Sequence, residues 1–138
     1  MVFDRQEEIA AWVAEMIGIR PFHEYKAMGM EDEKGFLCGV VYDRFSMNSA
    51  GEYEDCAMHV AARSNSKWCT REFLKHAFGY PFKQLSCARV TGLVKAGNEA
   101  ARRLDEHLGF VQEGILRKGM DGNDLILYGM LKQECKWI

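Results

Sequence analysis

Ile9, Trp12, Val13, Met16 and Ile17 recur at helical spacing and so share one face of a helix. Asp4, with Glu7 three residues on, reads as its N-terminal cap, and Gly18 with Pro21 ends it. The pattern then changes period. Residues 23–30 and Phe36–Tyr42 read as two strands, and the turn Asp32-Glu33-Lys34-Gly35 joins them as a hairpin. After a loop at 47–51, residues 52–62 form a third strand, polar at its start and apolar at its end. A polar loop with one tryptophan, Arg63–Cys69, leads to Thr70, which caps a second helix carrying Phe73, Leu74, Ala77, Phe78, Phe82 and Leu85. Pro81 lies inside that pattern, so a kink or an early end is expected there. Residues 87–94 are almost continuously apolar, as in a central strand covered on both faces. Asn98–Leu108 is the last helix, with Ala101, Leu104 and Leu108 inward. Residues 110–118 and 125–132 are strands joined by the hairpin turn Asp121-Gly122-Asn123-Asp124.

The order is helix, three strands, helix, strand, helix, two strands, which is an α+β arrangement. The helix between the third and fourth strands lets them lie parallel through a right-handed crossover, and the rest is antiparallel. No repeat, linker or low-complexity segment divides the chain, so residues 1–138 read as one domain.

Composition narrows the class further. The chain is 48% hydrophobic and 28% charged, enough for a core. A net charge of -2 gives no basic footprint for nucleic acid. No apolar run reaches the ~20 residues of a membrane helix, and the acidic N-terminus does not look like a signal peptide. Five cysteines without a C-x-x-C pair suit reduced thiols in a cytoplasmic protein. The four histidines show no metal-ligand spacing, so no metal is expected.

The densest signal lies near the C-terminus. Val90-Thr91-Gly92-Leu93-Val94 is followed by Asn98-Glu99-Ala100-Ala101-Arg102-Arg103-Leu104, then by His107-Leu108-Gly109-Phe110 and Glu113-Gly114. This run resembles the second half of the GCN5-related N-acetyltransferase (GNAT) fold. The string Gly109-Phe110 with Glu113-Gly114 and Arg117 is similar to the subset that includes ribosomal-protein N-terminal acetyltransferases. The resemblance spans about residues 52–131. It implies the acyl-CoA N-acyltransferase fold, a mixed twisted sheet flanked by helices and shortened at its N-terminus. The third and fourth strands are expected to be parallel and to splay around a slot for the cofactor.

GNAT proteins hold the cofactor pyrophosphate at the loop after the third of these strands, with the pattern Gln/Arg-x-x-Gly-x-Gly/Ala. Here Arg63-Ser64-Asn65-Ser66-Lys67-Trp68 stands in that place. The arginine matches and the two small positions do not. Anion binding there needs backbone N–H groups at a helix N-terminus. The resemblance assigns Arg63, Asn65, Ser66, Lys67, Trp68, Cys69 and Thr70 to the pyrophosphate of acetyl-coenzyme A. Met58 and Val60 are assigned to its pantetheine and thioester carbonyl, and Asn98 to the pantetheine arm. By its residue type alone, Asn98 is equally an N-cap, and the loop equally an ordinary strand-to-helix connection.

An acceptor amine must lose a proton before it attacks. The third strand offers Glu52, Glu54, Asp55 and His59. His59 is the preferred base, because an unperturbed imidazole titrates near ~6.5. A water held between His59 and Glu54 is the variant of that idea, and it needs a bulge because the two are an odd number of residues apart. Seven residues after Asn98, where many relatives carry a tyrosine acid, stands Asp105; an ionised aspartate is a poor proton donor.

The resemblance therefore implies an acetyl-CoA-dependent N-acetyltransferase that works by direct attack in a ternary complex, with a small-molecule or protein amine as acceptor. The alternative is a catalytically silent GNAT-fold binding or structural module, of the kind found in phage and prophage. The C-terminal strand and Trp137 offer an edge for a homodimer.

Overall fold

The computed structural model describes all 138 residues, Met1–Ile138. In chain order the elements are α1 (Gln6–Ile17), β1 (Lys26–Asp32), β2 (Gly35–Met47), β3 (Tyr53–Ala62), α2 (Arg71–Gly79), β4 (Arg89–Lys95), α3 (Glu99–Leu108), β5 (Val111–Met120) and β6 (Asn123–Leu131). They match the expected order. β2 runs five residues further than its aromatic stretch, because it keeps pairing with β3 as far as Met47↔Tyr53.

The strands form one sheet in the order β1-β2-β3-β4-β6-β5. Alternate residues divide its two faces. Val41 and Ala61 pack with Ile9 and Val13 of α1. Val40, Tyr42, Cys56 and Met58 pack with Phe73, Phe78 and Phe82 on the other face, together with Leu108 and Phe110. Gly39 lets α1 lie close to β2, since a Cβ there would sit 2.9 Å from Val13 Cγ2. The buried Tyr42 hydroxyl donates to the Ala77 carbonyl at 2.5 Å and ties the sheet to α2. No helix is long and apolar enough to cross a membrane.

Three expectations need correction here. Arg5, not Asp4, precedes α1 and offers no side-chain cap; its guanidinium instead binds Glu8 and Glu31. The C-terminal strand is not a free edge, because β6 is paired on both sides and β5 is the edge. Trp137 is also spent within the chain: its Nε1 donates to the Leu108 carbonyl at 2.9 Å and its ring packs on the main core.

The second helix follows the sequence closely. Thr70 Oγ1 accepts from the Phe73 N–H at 3.1 Å, the expected N-cap. At Pro81 the helix widens into a looser turn over Tyr80–Gln84, closed by Leu85 N–H donating to the Tyr80 carbonyl at 3.0 Å. Thr70→Ala should therefore cost about 1 kcal/mol in a urea titration, the usual value of such a cap. A change within error would mean that the loop before α2 is held by something else.

Candidate active site

The sheet splits in its middle. β3 stays paired with β2 along its length, and β4 with β6 from Arg89↔Leu131 to Lys95↔Leu125. Between β3 and β4 the only parallel pair is Ala57↔Thr91. A polar staple marks that point on the α1 face. Thr91 Oγ1 donates to the Asp55 carboxylate at 2.8 Å, and Arg89 reaches Asp55 at 3.6 Å and Glu113 at 2.7 Å. Burial pushes the Asp55 carboxyl up, while the Thr91 bond and Arg89 pull it down. Beyond the staple the two strands diverge, and their facing edges have no ladder partner.

A cavity fills the gap. It is mostly apolar and opens to solvent at its mouth. On the face of α2 and α3 its walls are Met58, Val60, Trp68, Phe73, Gly92, Asn98, Leu104 and Asp105. On the α1 side it is lined by Ile17, Ile19 and His59. The cavity therefore passes through the sheet, from the helix layer of α2 and α3 to the α1 face.

The loop at 63–70 leaves a run of backbone donors unpaired. No N–H from Ser64 to Cys69 donates to a carbonyl of the chain. Asn65 takes a left-handed turn with φ 55, and Ser66 Oγ donates to the Arg63 carbonyl at 2.5 Å, which folds the loop back on itself. This row of free N–H groups runs straight into the α2 N-terminus, where the helix dipole adds positive potential. Lys67 and Cys69 are exposed. Trp68 lies edge-on to Phe73 at 6.0 Å, so its bulk is turned into the cavity wall. Arg63 departs from its expected role. Its guanidinium is bound to the Asp32 carboxylate and the Phe36 carbonyl, on the β1–β2 hairpin, because a fixed carboxylate outcompetes an open cleft. Lys67→Glu places a negative charge beside the free N–H row. It should weaken binding of acetyl-CoA by about 1 kcal/mol or more, read by calorimetry; equal affinity would separate the loop from the ligand.

Asn98 caps α3, its Oδ1 accepting from the Ala101 N–H at 3.1 Å, and also stands at the cavity mouth. Gly109 closes that helix with φ 113 in the left-handed region, and Phe110 turns inward.

His59 and Glu54 do not meet. β3 has its bulge at Glu54 itself, where Asp55 faces Ser46 and Tyr53 faces Met47. Glu54 is exposed in a separate shallow depression with Asn48, Glu52 and Ala88, about 16 Å of strand away from His59. The water relay between them is corrected accordingly. The partner of His59 is Asp43, which the sequence reading missed. Its Oδ1 lies 2.7 Å from His59 Nε2, and the two side chains are only 17% and 11% exposed. They are diagonal neighbours across the β2–β3 ladder, on the α1 face. The ring of Phe22 holds the imidazole from the other side at 5.0 Å. With Nε2–H donating to Asp43, Nδ1 carries the free lone pair.

The second missed feature is Asp105. It lines the cavity from α3, and its Oδ2 lies 3.0 Å from where a Cβ on Gly92 would sit. Burial, with Glu106 beside it, pushes its carboxyl up to about 7. The expectation of a fully ionised aspartate is corrected by this apolar setting.

The comparisons with known proteins bear on this geometry. No family model matches the chain. Among solved structures, a ribosomal-protein-S5-alanine acetyltransferase from Vibrio fischeri superposes with a TM-score of 0.67 at 18% identity, over 81% of this chain and 64% of that one. A spermidine/spermine N-acetyltransferase SpeG from Vibrio cholerae superposes with a TM-score of 0.63 at 20% identity, over 79% of this chain and 66% of that one. The chain has the fold of the GNAT superfamily. In sequence, the GNAT-fold chain is 28% identical over 104 residues to YdaF of Bacillus subtilis (strain 168), whose name assigns it provisionally to the ribosomal N-acetyltransferases. The match takes in 72% of this chain and spans 56% of the length of that relative. The splayed strands thus lie where the resemblance in the sequence implied.

Proposed function

We propose that this chain transfers an acetyl group from acetyl-coenzyme A to a primary amine, by direct attack within a ternary complex. The observation that carries the reading is the cavity through the split sheet, with a loop of unpaired N–H groups on one side and an oriented histidine on the other. The chemistry of the donors fits the cofactor. The N–H groups of Ser64–Cys69 and the Lys67 ammonium suit its pyrophosphate. The unpaired edge of β3 from Met58 to Val60 suits the pantetheine amides, which extend a sheet as an added strand does. Asn98 stands at the mouth, where the arm enters. When bound, the cofactor supplies an activated acetyl group as a thioester.

The protein then has three tasks. It holds the amine on the α1 face, next to Ile17, Ile19 and Phe22. It takes the ammonium proton at His59 Nδ1, with Asp43 fixing the tautomer and stabilising the imidazolium. It polarises the carbonyl with backbone N–H groups of β3 near His59 and Val60 as the nitrogen–carbon bond forms and the carbon–sulfur bond breaks. The relatives are named for spermidine and for ribosomal-protein acceptors, so polyamines and protein amines are the acceptors to try first. Free cysteines, of which Cys38, Cys56 and Cys87 are buried, suit a reducing cytoplasm.

The test is release of free thiol from acetyl-CoA with spermidine, with alanine-terminated peptides and without acceptor. Amine-dependent release is the expected result. Tight cofactor binding with no release for any amine would favour the catalytically silent module instead.

A further inference from the structure

We propose that the acceptor is a primary amine carried on an apolar body, with no second positive charge. The inference narrows the transferase reading above and rests on it.

The α1 side of the cavity carries the argument. α1 ends at Gly18, left-handed at φ 72, and the Ile19 N–H donates back to the Ala14 carbonyl at 3.0 Å. Ile17 and Ile19, on either side of that glycine, both line the cavity. Across the gap β4 alternates, so Thr91, Leu93 and Lys95 share the α1 face. Leu125 pairs with Lys95 in the β4–β6 ladder and shares it too. Leu93 and Leu125 also line the cavity. The ring of Phe22 stands 5.0 Å from that of His59 and extends the apolar surround to the imidazole. Ile17 is 37% exposed. Such a side chain at a cavity mouth adds little to the core, and an apolar ligand covers it.

Charge decides the class. Of the titratable side chains lining the cavity, His59 and Lys95 face the α1 side. Both are already paired, His59 with Asp43 at 2.7 Å and Lys95 with Asp121 at 3.0 Å. No carboxylate lines this side. Asp105 lies over Gly92 on the opposite face, toward the proposed arm of the cofactor. Asp55 and Glu113, at the closed end of the gap, are held by Thr91 and Arg89. A polyamine with one nitrogen at His59 would leave a second ammonium among Ile17, Ile19, Leu93 and Leu125, beside the Lys95 ammonium. That cation would be desolvated without a partner. An apolar body in the same place gains from burial instead. The reacting nitrogen gives its proton to His59, and the imidazolium stays paired with Asp43. The nitrogen–carbon bond forms, the carbon–sulfur bond breaks, and the sulfur leaves as the thiolate of coenzyme A.

Two sources offer this chemistry: a free apolar amine, or a chain end whose first side chain is apolar. The experiment follows thiol release from acetyl-CoA with isoamylamine, with an otherwise uncharged peptide beginning in leucine, and with spermidine, at equal concentrations of unprotonated amine. kcat/KM should be about 10²-fold higher for at least one of the two apolar amines than for spermidine, the discrimination an apolar pocket reaches. The faster of the two tells the sources apart. Ile17→Glu places a carboxylate in the wall at a partly exposed position. It should keep the acetyl-CoA affinity and shrink the preference over spermidine by about tenfold or more, through a new charged partner for the second ammonium. Spermidine used as well as the apolar amines, or a preference unchanged in Ile17→Glu, would overturn this assignment alone. Acetyl-CoA bound but no thiol released with any amine would overturn the transferase reading, and this assignment with it.

Discussion

Asp105→Asn is expected to stabilise the chain by about 2–4 kcal/mol at pH 8, and by about 1 kcal/mol or less at pH 4.5. The direction follows from proton linkage. The carboxyl titrates near 7 in the folded chain and near ~3.9 when unfolded. Between these values the folded state holds the extra proton, so stability falls as pH rises through the window and levels off above it. Three pKa units correspond to about 4 kcal/mol, reduced because the group is partly open to the cleft. The amide does not titrate and escapes this loss. Urea unfolding of parent and variant at the two pH values measures it. An equal gain at both pH values, or a loss at pH 8, would show that the carboxyl is not held in an unfavourable site.

The second large effect belongs to His59. Replacing it with Gln should lower kcat by about 10²–10⁴-fold and leave acetyl-CoA affinity in place, because the side chain lies on the α1 face and not on the loop at 63–70. Asp43→Asn should also slow the reaction, through loss of the tautomer in which Nδ1 is free. Since the two residues act as one unit, the double variant should be no slower than His59→Gln alone. Additive losses, or an unchanged pH profile in His59→Gln, would make the histidine structural and move the search to another base.

Local chemistry made much of this legible from sequence. The Asn98 cap, the Gly109 stop and the apolar run at 90–94 each express a preference that tertiary packing does not override, so α3 and its flanking strands could be read directly. The split of the sheet came with them, through the family resemblance. Long-range pairings were not legible. Nothing near Arg63 announces Asp32, which is thirty-one residues away and captures its guanidinium. Nothing near His59 announces Asp43, because the strand register, with Val41 opposite His59 and Asp43 opposite Ala57, decides which carboxylate is its diagonal neighbour. Asp105 did leave a signal. It falls on the same helical stripe as Asn98, Ala101 and Leu108, where an aspartate breaks an inward-facing pattern. Its titration could not be read, because that depends on apolar walls contributed by α2 and β4.

The central claim is that the gap between β3 and β4 is the seat of acetyl-coenzyme A. Calorimetric titration of this 138-residue chain with acetyl-CoA tests it before any acceptor is known. The account predicts binding of one molecule per chain with a dissociation constant in the micromolar range, as is usual for enzyme substrates at about 1 μM–1 mM. Absence of binding at high-micromolar ligand would contradict it.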